Sequence, residues 1–544
     1  MHLTEQPGTN ASSPPHSADE HIWLRRVLWL LAGFLAIRLL VTATIPLDLV
    51  HDEAYYWDCS RRLDWYYYSK PPMVAWLIAG FTHVGGDSTF VVRLPAIFLG
   101  TGAAWFVFLL ARDMYGARAG FWSAALFLTA PGAAALGLLM TNDAPLLFCW
   151  SVALFAFWRI LHQDTHRFGW LCVLTLAIGI GLLSKQTMLA FMGLSGMFLL
   201  TSREDRQAWR RPAVWICWIG SLCFLVPLLW WNVQNDWITL QHTNEYFSTE
   251  QVSAWRRVVR GFEFIGSFSA VTSPYLSWLF CAAAISALWH FSNCDRRRKY
   301  LLMFSAVPLM VVTGLAFKQR VEPNWPAPVC IAGVILLVGH VRTTQIVRVA
   351  RRNNDRRLAT ALGIATVATL VMYVASYGLV LKGTKLDPGR KMRGWSELGR
   401  LVGEEYRRLP KPNGTFLIVT NGQAFASELA FYMPQHPTAF VWNRSGRSVS
   451  QYDVWGGPLG RHGQDALLVS STSRLPGALA GCFSHVAPLP GVEVSLGHGK
   501  SMSVHLWRGC ALDERAAAQV AGFSGLARGQ YASRLPTAVD LPIR

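Results

Sequence analysis

Charge is what this sequence is short of. Only 15% of its 544 residues are Asp, Glu, Lys or Arg, while 52% are hydrophobic; soluble domains carry roughly 25% charged residues. So large a deficit makes a lipid bilayer the expected solvent. Acids are scarcer than bases, 32 against 50, for a formal net charge of +18. Nucleic acid is the first partner such an excess suggests. The bases, however, stand as clusters between apolar runs, where they read as topology signals beside anionic headgroups. Membrane lipids, and no nucleic acid, are the partners that this pattern implies. The ten cysteines lack metal-ligand spacing, and most sit within apolar runs as small buried residues. Cys482 and Cys510 fall in the polar C-terminal region, where a disulfide between them is left open. There is no internal repeat. The first apolar run is too long and too far in for a cleavable signal peptide, and residues 1–20 read as a disordered tail.

Apolar runs, by contrast, are abundant. A bilayer core takes about 20 apolar residues per helix. Candidate spans are 24–46, 91–111, 119–138, 143–161, 168–184, 186–201, 212–231, 275–291, 300–317, 326–341 and 359–381, about eleven by the helix-length criterion. Arg25 and Arg26, Arg112 and Arg118, the Arg203–Arg211 cluster, Arg296–Lys299 and Arg351–Arg357 all fall on one side if the N-terminus is cytoplasmic. The same bookkeeping puts 47–90, 139–142, the break at Lys185, 232–274, 318–325 and everything after 381 outside. The fold class expected is an all-α polytopic membrane bundle, residues 21–381, followed by a small periplasmic α/β domain, residues 382–544. In that domain Thr415–Thr420, Ala439–Trp442, Ala466–Ser470 and Ser503–Trp507 read as strands and Gln423–Tyr432 as a helix.

The outside segments hold the residues able to do chemistry. The first loop opens His51-Asp52-Glu53-Ala54-Tyr55-Tyr56-Trp57 and runs through Tyr66-Tyr67-Tyr68-Ser69-Lys70-Pro71-Pro72. It predicts a helix lying along the membrane surface. Asp52 reads either as a helix N-cap or as a carboxylate held where water meets acyl chains. Tyr66–Tyr68 read first as interfacial anchors. Lys70, stiffened by two prolines, can meet a phosphate as a point charge or snorkel at a helix end. Asp143, in Thr141-Asn142-Asp143-Ala144-Pro145, is either a cap or a polar group facing the bundle interior. Lys185 is an ionisable group in an apolar hairpin, a functional candidate by default. Lys318 and Arg320, in the loop Lys318-Gln319-Arg320-Val321-Glu322-Pro323-Asn324-Trp325-Pro326, could neutralise a phosphate leaving group. His242 with Glu245 could belong to a metal or acceptor site but lacks a third clear ligand.

Taken together, these motifs resemble the GT-C superfamily of membrane glycosyltransferases. The nearer branch contains the protein O-mannosyltransferases and the lipid A aminoarabinose transferases. The resemblance is carried by Asp52-Glu53-Ala54-Tyr55, Ser69-Lys70-Pro71-Pro72, Thr141 to Pro145, Arg320 to Pro326 with Pro328, and Glu428-Leu429-Ala430-Phe431-Tyr432-Met433-Pro434. It implies transfer of a sugar from a polyprenyl-phosphate donor to lipid A, an envelope glycan or a protein. The transfer would occur at the periplasmic face of a bacterial inner membrane. It implies Asp52 and Glu53 as the catalytic pair. Lys70, Tyr55, Asp143, Lys185, Lys318, Arg320 and His242 would bind substrate. Two positions depart from the aminoarabinose transferases: Tyr55 replaces their arginine, and Ser69 replaces a glutamate tied to metal binding. The pattern then looks more like relatives that move galacturonic acid or hexoses. The cofactor stays open between none and a divalent metal. A transporter or flippase of lipid-linked sugars would share the spans, but it predicts broken helices in repeated halves, and no such symmetry is present. A non-catalytic envelope assembly protein is the third reading.

Overall fold

Prolines and single polar residues set where the helices of the bundle stop. The computed structural model describes residues 16–162, 166–247, 252–343, 348–378, 381–384, 387, 389–410, 414–443, 448–458, 460–520 and 523. Among these, seven helices are long and apolar enough to cross a membrane: Asp19–Thr44, Thr89–Tyr115, Asp143–His162, Arg167–Ser184, Pro212–Gln234, Arg296–Ala316 and Asp355–Ser376. The chain is a multi-pass helical membrane protein.

The other four of the eleven expected spans are shorter or interrupted. Span 119–138 splits where Ala130 turns extended ahead of Pro131, leaving helices Ala117–Thr129 and Pro131–Leu136. Span 186–201 is a 3-10 turn, Gln186–Met188, running into Leu189–Thr201. Span 326–341 is the 15-residue helix Val329–Thr343. Span 275–291 is one arm of a pair, Ala254–Thr272 and Pro274–Trp289, bent by 107°. Ser273, at φ 78°, makes that bend just ahead of Pro274. Hydropathy reads composition over a window of about 20 residues and cannot see such proline-led breaks. The first helix starts at His16, inside the stretch expected to be a tail; residues 1–15 lie outside the described residues.

Helix Thr89–Tyr115 measures the bundle. Its 27 residues span roughly 40 Å at 1.5 Å per residue. Near its C-terminal end the basic clusters gather and find partners: Arg159 with Asp113 at 2.8 Å, Arg118 with Asp355, Arg296 with Asp205, and Arg297 over the Tyr115 ring. The side chains of Arg351 and Arg352 lie outside the described residues. At its other end Thr89 meets Tyr432 of the C-terminal domain at 3.3 Å.

That domain is built on a five-stranded sheet of order β2-β1-β3-β5-β4. Its strands are β1 (Thr415–Val419), β2 (Ala439–Val441), β3 (Asp465–Ser470), β4 (Phe483–Gly497) and β5 (Lys500–Leu512). β1 runs parallel to β2 and β3, and the β4–β5 hairpin continues the sheet antiparallel. The helix expected over Gln423–Tyr432 has those bounds. Strand β4 went unforeseen because it is an edge strand with Pro488, Pro490 and Gly491 along it, residues that elsewhere argue against a strand.

One hydrophobic core joins the domain to the first loop. Leu49, Ala54, Trp57, Val74 and Ile78 from the loop pack in one cluster with Leu398, Val402, Leu417, Leu429 and Phe431. The loop helix His51–Ser60 therefore does not lie open on a surface. All of its residues from Glu53 onward are buried, and Trp57 meets Phe431 edge to face at 4.9 Å.

Cys482 is buried, Cys510 half-buried, and neither is bonded to the other; all ten cysteines are free. The disulfide left open above is not formed. Dithiothreitol should therefore leave the thermal midpoint of the purified protein unchanged, and a thiol reagent should label every cysteine after denaturation.

Candidate active site

The adjacent acids of the first loop, Asp52 and Glu53, face different ways. Adjacent positions on a helix are about 100° apart, so Asp52 and Glu53 cannot share an environment. The Asp52 side chain is 45% exposed. Glu53 is fully buried and closes a clamp: Arg93 Nη2 donates to its Oε2 at 2.9 Å and Arg93 Nε to its Oε1 at 3.1 Å. The backbone N–H of Met140 donates to Oε1 at 2.8 Å and that of Val50 to Oε2 at 3.0 Å. Arg93 spends its remaining donors on the carbonyls of Leu47 and Asp48. Every polar atom of the pair is used, so Glu53 positions the loop and is not free to take part in catalysis. Val50, not Asp52, is the N-cap of the helix. Asp52 thus stands in the first turn with its carboxylate outward.

A second network joins three separate connections. Asp143 is buried; its Oδ1 accepts from Lys185 Nζ at 2.8 Å and its Oδ2 from Asn324 Nδ2 at 2.6 Å. Lys185 has extended backbone at the break between helices Arg167–Ser184 and Leu189–Thr201, aided by the 3-10 turn. The next residue, Gln186, donates to the Tyr66 hydroxyl. Tyr56 lies within electrostatic reach of both Asp52 and Asp143, and burial first, then these two anions, push its pKa well above the usual tyrosine value.

The aromatic segment continues from there. Tyr66, Tyr67 and Tyr68 are buried, not interfacial anchors: Tyr66 packs on Trp231 of the bundle, the Tyr67 hydroxyl donates to the Cys59 carbonyl within the loop, and the Tyr68 N–H donates to Gln451 Oε1 of the domain at 2.6 Å. The Tyr68 hydroxyl meets His242 Nδ1 at 3.3 Å. Backbone bonds in both directions between Tyr67 and Lys70 tie off the turn, and Pro72 caps the next helix, Met73–Gly85. Burial, then the Lys70 charge, hold the His242 imidazole below its ordinary pKa, so it is neutral at pH 7. A polar cavity of about 440 Å³ opens here, lined by Tyr68, Asn235, Asp236, Gln241, His242 and Glu245. Among the described residues no three metal-ligating side chains converge; His242 pairs with Tyr68 instead.

A second cavity, of about 240 Å³, is apolar, and Phe127, Leu136, Leu147, Phe268, Val271 and Asn324 are among the residues lining it. One of its lining residues, Asn324, is the one bonded to Asp143.

Residues 69–231 match the family model described as dolichyl-phosphate-mannose-protein mannosyltransferase. The lipid A galacturonosyltransferase RgtD of Rhizobium johnstonii is 27% identical over 423 residues, covering 77% of this chain and 85% of the relative. The crystal structure of ArnT from Cupriavidus metallidurans in the apo state superposes with a TM-score of 0.61 at 17% identity, over 90% of this chain and 98% of ArnT. The same protein bound to undecaprenyl phosphate gives 0.61 at 19% identity, over 88% and 98%. The chain is a membrane glycosyltransferase with the fold of ArnT.

Three of the sequence-derived candidates stand apart in this glycosyltransferase. Arg320 is 80% exposed and pairs with its neighbour Glu322 at 3.2 Å. Lys318 is exposed as well. The loop instead contributes Asn324, an uncharged residue. Tyr55 is buried in the seam against the domain, its ring 5.6 Å from that of Tyr56 and its hydroxyl facing Cys59; nothing can reach it from solvent. The structure brings together Asp143, Lys185, Asn324, Gln186 and Tyr66 as one set, and Lys70, Tyr68 and His242 as another. Sequence reading missed Arg93, Gln186 and Asn324. Arg93 lies inside the apolar span 91–111, where nothing local marks it, and the two amides are common loop residues.

Replacing Arg93 with Met strands the Glu53 carboxylate and should cost about 3–5 kcal/mol, as breaking one partner of a buried pair does. Asp52→Asn, at an exposed position, should stay within about 0.5 kcal/mol of wild type. Thermal midpoints in one detergent would check both.

Proposed function

We propose that this glycosyltransferase moves a hexose or hexuronic acid from a polyprenyl-phosphate donor onto lipid A, at the outer face of a bacterial inner membrane. Asn324 carries the reading. It lines the apolar cavity and bonds Asp143, so an apolar space suited to part of a lipid tail adjoins a fixed polar network. ArnT, alike in fold, has been crystallised with undecaprenyl phosphate, and RgtD, alike in sequence, is a lipid A galacturonosyltransferase. Tyr55 and Ser69, where aminoarabinose transferases carry arginine and glutamate, also favour a sugar other than aminoarabinose.

In this reading the donor's tail occupies the apolar cavity and its sugar-phosphate lies between the two side-chain sets. A polyprenyl phosphate leaves readily and needs its developing charge stabilised more than it needs a proton. Lys70 supplies that charge, since among the described residues it has no carboxylate partner, whereas Lys185 is already neutralised by Asp143. Lys70 lies beside the neutral, half-buried His242, where water screens it less than in bulk. The acceptor oxygen attacks the anomeric carbon, the bond from that carbon to the phosphate oxygen breaks, and the hydroxyl proton passes to Asp52. The outward carboxylate of Asp52 is the exposed base this step requires. If the acceptor group is a phosphate, no base is needed and Asp52 orients it. The polar cavity beside Tyr68 and His242 has the size and lining to hold the acceptor's sugar.

Membranes bearing Asp52→Asn, supplied with lipid-linked sugar and a hydroxyl acceptor, should lose transfer by about 10²–10⁴-fold with normal expression, the range for a general base. Full activity would remove Asp52 from the mechanism. Mass spectrometry of lipid A from cells with and without the gene should show one sugar missing. An unchanged lipid A would redirect the acceptor to another envelope glycan or a protein.

A further inference from the structure

Glu428 belongs to the domain helix Gln423–Tyr432, which packs on the loop helix carrying Asp52. It is fully buried, and neither of its carboxyl oxygens has a hydrogen-bond partner. The charged and titratable groups facing it are Asp48 from the segment entering the loop, Glu53 from the loop helix, Arg93 from helix Thr89–Tyr115, and Tyr432 from its own helix. Among these Arg93 is the lone cation, and Glu53 already occupies it. The Asp48 carboxylate accepts from the Trp395 N–H at 2.8 Å. A further anion in this space would be buried without a donor, which folded proteins avoid by keeping the group neutral. Burial first, then Asp48 and Glu53, raise the Glu428 pKa well above the carboxylate range, and Arg93 offsets only part of this. The site therefore favours the protonated, uncharged form of Glu428.

A leucine would fill the same space with no polar atom to bury, so a carboxyl here is a burden that packing does not explain. We propose that Glu428 is a positioning residue for glycosyl transfer: a neutral carboxyl set behind the Arg93–Glu53 clamp, whose ionisation would draw Arg93 off Glu53 and shift the first turn bearing Asp52. Its consequence for the rate rests on the function proposed above; its effect on the clamp does not. The residues involved make the link short. Arg93 also holds the carbonyls of Leu47 and Asp48, and the Leu49 N–H donates to the Tyr432 hydroxyl at 2.6 Å. A pull on Arg93 is thereby passed to the backbone just ahead of Asp52.

The sign of the pH dependence follows. A carboxyl whose folded pKa is raised gives its full stability below the ordinary carboxylate range and loses it as pH rises through the raised value. Purified wild type should lose thermal midpoint over that window, and its transfer rate should fall on the alkaline side. Glu428→Gln and Glu428→Leu, both uncharged, should flatten the midpoint-against-pH curve. They should keep neutral-pH activity within about threefold and move the alkaline limb of kcat/KM upward by about one pH unit or more. Profiles that superimpose on wild type would overturn the proposal. So would a Gln variant that fails to accumulate folded protein, since an uncharged isostere should be tolerated. Asp52→Asn measured alongside keeps the two readings separable: it reports on the base and should leave the midpoint curve unchanged. The midpoint curves decide the role of Glu428 in the clamp even if no transfer is detected.

Discussion

The placement of Asp52 depends on a buried ion pair one residue away. Arg93 and Glu53 share a buried site, and such a pair is stable only if both partners are well hydrogen-bonded. Here they are, and the bonds reach far along the chain. Glu53 takes N–H groups from Val50 and from Met140, so the loop helix is fastened both to its own entry and to the turn that leads into Asp143. Arg93 takes the carbonyls of Leu47 and Asp48. Three chain segments, 47–53, 93 and 140, are thereby held in one register. An apolar cluster of the same volume could be as stable, but it would allow the loop helix to rotate. Directional bonds do not, and a rotation of one residue would swap Asp52 with Glu53.

The distribution of unpaired charge follows from the same logic. Asp143 and Lys185, both close to apolar helices, cancel each other, with Asn324 filling the remaining oxygen. That leaves no net charge facing the apolar cavity, where an unpaired charge would be costly. Lys70 has no carboxylate partner among the described residues and Asp52 has only its neighbour His51, at 3.9 Å, and both are held by rigid supports, the clamp in one case and the Pro71-Pro72 turn in the other. A site meant for a charged sugar-phosphate and an ionisable acceptor needs groups of this kind, fixed in place and still able to bind something else. The contrast with Arg320 is informative. It too is a cation, but it lies in water against Glu322, where its field is screened.

Much of this was legible in the residues. The apolar runs found the bundle, and the basic clusters do converge at one end of helix Thr89–Tyr115, as topology bookkeeping requires. The β-rich runs found three strands of the sheet and part of a fourth. Asp143 and Lys185 were each singled out, one as an acid at a helix edge and the other as a lysine in an apolar hairpin. Their pairing was not, because 42 positions separate them and nothing local to either names the other. Weight given to charge misled in the 318–326 loop. Lys318 and Arg320 drew attention there because cations are rare in this chain, while Asn324, four positions on, makes the contact. The reading of Tyr66–Tyr68 as anchors failed for a related reason: amphipathic aromatics suit a lipid boundary and a domain interface equally well, and only the fold reveals which one is nearer.

The C-terminal domain is what turns that boundary into an interface. Had it been a separate module for binding a partner, its core would close on itself and its contact with the bundle would be small and polar. Its core instead runs through Leu429 and Phe431 into Trp57 and Ala54. Its short helix Gln451–Trp455 reaches the loop as well, with the Tyr452 hydroxyl donating to Asp58 at 2.6 Å and Gln451 receiving the Tyr68 N–H. The loop helix is thus a shared element, packed from one side by helices of the bundle and from the other by the sheet domain. Removing the domain would expose the apolar residues of a ten-residue helix too short to hold its shape alone. The non-catalytic assembly reading treats the domain and the loop as separable parts. The continuous core between them argues that the domain exists to keep the loop, and the carboxylate on its first turn, in place.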